Sequence, residues 1–143
     1  MVRPLAAFCL AVAEVCAVAP AVARPVAEAD ARAIRTVVTA QLDAFASDDA
    51  ERAFSYAAPA IRTMFGTPER FLAMVRASYP VVYRAASVTF LVPLRDGTEI
   101  VQAVHLTDAD GAFWLATYRL ERQRDGAWRI KGCDVQPASG KMV

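Results

Sequence analysis

The sequence predicts an α+β domain in which three N-terminal helices pack on one face of a curved, four-stranded antiparallel sheet. Three observations carry that expectation. Ile34, Val37, Val38, Leu42 and Phe45 recur at the three- and four-residue spacing of a helix face. Ile100, Gln102, Val104 and Leu106 then alternate with other residues, as strands do. Two Arg-Asp-Gly triplets, at 95–97 and 124–126, punctuate the alternating half with turns.

The N-terminus has the layout of a secretory signal. Met1 to Pro4 carries one positive charge, Leu5 to Val18 is mostly apolar, and Ala21-Val22-Ala23 forms a small-x-small site before Arg24. Glu14 interrupts the apolar run, which is also too short for a stable membrane span. The expected organisation is a signal peptide over residues 1–23, a single domain over 24–143, and export to the periplasm or beyond. Cys9 and Cys16 depart with the signal, leaving Cys133 alone and no internal disulfide.

The helices follow in order. Glu28 to Phe45 is the first, and Asp48, three residues before Glu51, has the spacing of an N-cap for a second that ends at Pro59. A short helical turn from Ala60 to Phe65 stops at Gly66. Thr67-Pro68-Glu69 then opens a third full helix, which ends before Pro80. Residues 81–84 are expected to be extended.

Register decides which side chains share a face of the sheet. A three-residue loop at Arg124-Asp125-Gly126 sets Leu120 opposite Ile130 and Tyr118 opposite Gly132. A similar loop at 95–97 would set Phe90 opposite Gln102 and Val88 opposite Val104. One face then carries Gln102, Trp114, Tyr118, Trp128, Ile130 and Asp134 beneath the helices, and the other carries Val101, Ala103, His105, Leu115, Thr117, Cys133 and Val135.

The run DAFASDDAERAFSYAAPAIRTMFGTPERFLAMVRASYPVVYR, from Asp43 to Arg84, and the closing WRIKGC, from Trp128 to Cys133, resemble the bacterial domain-of-unknown-function family DUF4864. The resemblance implies no established activity and transfers no site residues. The order of helices followed by a bent sheet is also similar to the cone fold of nuclear transport factor two, the ketosteroid isomerases and the SnoaL-like cyclases. Such folds host isomerases, dehydratases, binding modules and dimerisation units, so fold alone does not choose among them.

Composition narrows the choice. The chain of 143 residues is 22% charged with a formal net charge of +1, and the arginines of the last hairpin are interleaved with acids, which argues against a nucleic-acid surface. One histidine and one remaining cysteine make no zinc-like ligand set, and Asp108-Ala109-Asp110-Gly111 lacks the distal ligands of a calcium loop. No metal or cofactor is expected.

The candidate pocket is Gln102, Trp114, Tyr118 and Asp134, with Arg76, Tyr79, Tyr83 and Arg84 at its mouth. An aspartate desolvated there could serve as a general base and the tyrosine could stabilise an oxyanion. The leading expectation is nevertheless a non-catalytic module for a small hydrophobic or partly polar ligand, or for a partner protein. A SnoaL-like proton-transfer enzyme is the alternative. The apolar second face further suggests a homodimer formed sheet to sheet.

Overall fold

Ile34, Val38, Gln41, Leu42, Ala44 and Phe45 are the buried stripe of the first helix, α1 (Glu28–Ala46), in a computed structural model that describes residues 25–139. The expected signal segment, residues 1–23, lies outside the described residues. Asp48 adopts a positive φ of 54° and turns the chain, so Asp49 rather than Asp48 caps α2 (Ala50–Ser55), accepting the Arg52 N–H at 3.1 Å. Pro59 opens α3 (Pro59–Phe65), and the Thr67 hydroxyl caps α4 (Pro68–Ser78) by accepting the Arg70 N–H. Residues 81–84 are not extended as expected. Pro80, suited to a first helical position, starts a further turn, α5 (Pro80–Tyr83).

The strands are β1 (Ser87–Phe90), β2 (Leu94–Asp96), β3 (Glu99–Thr107), β4 (Phe113–Arg122) and β5 (Trp128–Pro137), ordered β1-β3-β4-β5 with β2 also on β3. The expected four strands become five because, after a last bond from the Leu91 N–H to Ala103 O at 3.0 Å, the chain leaves the ladder at Val92 and Pro93. Proline has no N–H to give it, and a strand that would otherwise be continuous is split there. The 95–97 loop is accordingly a two-residue turn at Gly97 and Thr98, with Asp96 opposite Glu99. Phe90 pairs with Val104 and Val88 with Leu106, two residues along from the expected register. That slide preserves the faces of Val88 and Phe90.

The last hairpin starts as expected. Gln123 N–H donates to Ala127 O at 2.8 Å, Gly126 takes a φ of 87°, and Leu120 stands opposite Ile130. A β-bulge then intervenes: Arg119 pairs with Gly132, Tyr118 with Cys133 and Ala116 with Val135, leaving Lys131 as the extra residue. Tyr118 therefore does not face Gly132. A single inserted residue reverses the alternation of everything beyond it and bends the strand.

The inner face, with Ile100, Val104, Leu106, Ala116, Tyr118, Leu120, Trp128 and Ile130 all buried, packs under the helices. Burial of each large aliphatic side chain contributes about 1.5–3 kcal/mol to stability before the entropy of ordering is subtracted. Phe71 of α4 gathers Phe45, Phe54 and Phe65 around it at ring-centroid distances of 5.7, 5.5 and 5.5 Å. The segment between α2 and α3 closes the edge of β5: Ala58 N–H donates to Ile130 O and Ile130 N–H to Tyr56 O, both at 2.8 Å. The result is a cone whose open end is bounded by α4, α5 and the far half of β5.

Candidate functional site

Between helices and sheet lies a cavity of about 130 Å³. Phe45 and Gln41 of α1, Ile61 and Phe65 of α3, Phe71, Met74 and Val75 of α4, and Val82 of α5 form its helical side. Tyr118 of β4 and Ile130, Cys133 and Val135 of β5 form its floor. This wall is almost wholly apolar. Among the described residues that line it, none carries a formal charge and none is a histidine.

Besides Tyr79 in its wall, three groups give the cavity its polarity. Gln41 is buried and donates through Nε2 to Ala53 O at 3.1 Å, which fixes its amide against α2. The Tyr118 hydroxyl is fully buried and has no hydrogen-bond partner. An orphaned buried hydroxyl costs about 1–3 kcal/mol, and such groups are uncommon enough in folded proteins to call for an explanation. Cys133 stands beside it, close enough for each group to influence the other's protonation without a hydrogen bond of good geometry between them. Burial pushes the Tyr118 phenol well above its ordinary range, and the neighbouring Cys133 adds to the rise. Desolvation likewise pushes the Cys133 thiol up to about 12, although its surface is partly accessible.

The four expected pocket residues do not converge. Tyr118 lines the cavity. Gln102 is buried elsewhere, donating through Nε2 to Leu91 O and Ala103 O at 2.8 Å each, and so holds the break between β1 and β2. Trp114 lines a separate groove and donates its indole N–H to Asp108 Oδ2 at 3.0 Å. Asp134 is exposed on the opposite face, opposite Thr117, where it accepts from Gln136 at 2.9 Å. The bulge at Lys131 is the cause. It carries Asp134 out and brings Cys133 and Val135 in, which also removes those two from the apolar outer patch.

The expected mouth residues separate in a similar way. Arg76, Tyr83 and Arg84 converge on Asp48. Arg76 reaches its Oδ1 and Arg84 its Oδ2 at 3.2 Å each, and the Tyr83 hydroxyl donates to Oδ1. Both guanidinium groups also lie on the Tyr83 ring, at 5.3 and 4.8 Å from its centroid. The hydroxyl of Tyr83 and the two arginines hold the Asp48 carboxyl below the usual carboxylate range. The cluster is thus supplied with its anion from within the chain and ties the α1–α2 turn to α4 and α5. Tyr79 instead closes the cavity wall.

Two of these residues had legible signals. Ile34, Val38, Gln41 and Phe45 follow one another at spacings of four, three and four, so Gln41 sits within the apolar stripe. Asp48 and Asp49 are adjacent carboxylates, and spacing to Glu51 alone favours the wrong one as the cap. Asp108 accepts the N–H groups of Asp110 and Ala112 at 2.9 and 3.0 Å, so the 108–111 segment is an aspartate-stabilised turn. Among the described residues no group of three His, Cys, Asp or Glu is placed to hold a metal ion.

Comparison with solved structures gives a similar fold in Aln2 from a Streptomyces species, with a TM-score of 0.52 at 14% identity, over 80% of this chain and 94% of that one. The likeness is one of cone-like architecture. No curated protein matches the sequence. The family described as Domain of unknown function (DUF4864) matches over residues 27–143, and the chain belongs to that family.

Proposed function

We propose that this is an exported, non-catalytic binding module that takes a small, uncharged, mainly apolar ligand with one hydroxyl or carbonyl group into its cone cavity. The observation that carries the reading is the orphaned Tyr118 hydroxyl in the floor of a mainly apolar chamber. A ligand oxygen beside it would satisfy that group while the rest of the ligand buried apolar surface. The volume of about 130 Å³ is close to the roughly 150 Å³ of an apolar cavity that accepts benzene. Export rests on the pattern of residues 1–23.

Proton-transfer chemistry loses its base with the outward placement of Asp134, and a thiol with its pKa near 12 is a weak substitute. Thermal melts in phenol, cyclohexanol, benzene and benzoate test the binding reading. Phenol and cyclohexanol at ten times their dissociation constants should raise the melting temperature by roughly 5 °C. Benzoate should not, because its charge would be buried without a counter-ion. Equal indifference to all four compounds would refute the proposal.

Self-association through the outer sheet face is a second reading. It is favoured by Leu94, 54% exposed beside its partner Val101, in a row continued by Ala103 and Leu115. Light scattering at micromolar concentration should then give a dimer that Val101→Asp dissociates; a monomer throughout would end it.

A further inference from the structure

The cavity does not end blindly. A second depression, a groove of about 500 Å³, is lined by Ser78, Pro80, Val81, Arg84, Asp108 and Trp114, and it shares Tyr79 and Val135 with the cavity. Building on the cavity reading above, we propose that cavity and groove form one binding channel passing between Tyr79 and Val135. Its ligand is an amphiphile whose compact polar-tipped head fills the cavity and whose uncharged tail lies along Trp114.

The construction of the dividing wall supports this. Tyr79 stands between α4 and α5 at φ −133° and ψ 61°, outside helical geometry, where Pro80 forces one helix to stop and another to start. Its backbone is nonetheless fixed: its N–H donates to Val75 O at 2.8 Å, and its carbonyl accepts from Val82 and Tyr83 at 3.0 Å. Opening the passage therefore needs only a side-chain rotation of the half-buried Tyr79, a motion far cheaper than refolding a helix end. Val135, opposite, reaches this wall only because of the bulge.

The chemistry of the tail follows from what the groove has left to offer. Arg84 is paired with Asp48, Asp108 is engaged by the Trp114 indole and by the turn that it closes, and Asp110, the third charged residue of the lining, is exposed to solvent. Free of those partners are the apolar surfaces of Pro80, Val135 and the half-buried Trp114. An anionic tail would meet the Asp108 and Asp110 carboxylates and a charge of either sign would lose hydration against Trp114 and Pro80, whereas an aliphatic tail would simply cover apolar surface.

Calorimetric titration of the protein with phenol and its 4-ethyl, 4-butyl and 4-hexyl derivatives separates this inference from the reading beneath it. Affinity should rise by roughly fourfold per methylene while the tail is being buried. Trp114→Ala should shrink the ratio of 4-hexylphenol to phenol affinity. Phenol binding with no gain along the series would overturn the channel and leave the cavity site standing. A gain undiminished in Trp114→Ala would overturn the groove as the place of the tail even if that variant binds well. Absence of phenol binding would overturn both. Because the length series needs only the native protein, the test survives a Trp114→Ala variant that fails to fold.

Discussion

Tyr118 decides more than any other side chain in this molecule. Its ring is needed in the core and its hydroxyl is not, because that oxygen is buried and unpartnered. Tyr118→Phe should therefore leave the free protein as stable as before or more stable by about 1 kcal/mol, measured by urea unfolding. A hydroxyl that did have a partner would make the same change destabilising. Cys133, its neighbour, illustrates the same desolvation. With its thiol pushed up to about 12, Cys133 should react with iodoacetamide at pH 8 at least about a hundredfold more slowly in the folded protein than in urea, read by peptide mapping. Gln102 is the opposite case: a buried amide with both contacts made. Gln102→Leu should cost about 1–3 kcal/mol, because it leaves the carbonyls of Leu91 and Ala103 without that donor.

Among the secondary-structure elements, the bulge in β5 and the Asp48 turn set the shape of the cone. The first sends Cys133 and Val135 to the cavity and Asp134 to solvent. The second fastens the α1–α2 turn to α4 and α5, the two helices that bound the open end. Because Tyr83, Arg76 and Arg84 lower the folded-state pKa of Asp48, the unfolded chain takes up that proton more readily. Its contribution to stability is present above the unfolded value of about 4 and is lost as pH falls through the lowered folded value. Asp48→Asn, which tolerates the positive φ, should therefore flatten the acid limb of the stability profile. An acid limb unchanged in urea titrations of that variant would show the cluster to be idle. Glu99, held low chiefly by Lys131 and also by Arg119, and Asp108, held low by the Trp114 indole and the N–H groups of Ala112 and Asp110, titrate in the same direction and should supply the acid sensitivity that remains.

The whole molecule was legible in outline and not in its details. Periodicity of three and four marked α1, proline and threonine marked the start of α4, and alternation put Gln102, Trp114 and Tyr118 on one face of the sheet, as the structure has them. Those signals are local. The bulge at Lys131 is not, since nothing in WRIKGC distinguishes a regular strand from one that must bend around a cavity and pair at its edge with Tyr56 and Ala58. For that reason Tyr118 lies on the face that alternation predicts, whereas Asp134, beyond the bulge, lies on the other. The break beside Pro93 does have a local sign, the proline itself, which has no N–H to continue a ladder. Binding of a ligand oxygen by Tyr118 is the centre of the account, and paired titrations of phenol and toluene into the native protein and Tyr118→Phe test it most directly. The native protein should bind phenol about tenfold more tightly than toluene, and Tyr118→Phe should abolish or reverse that preference. The same preference for phenol in both proteins would contradict it.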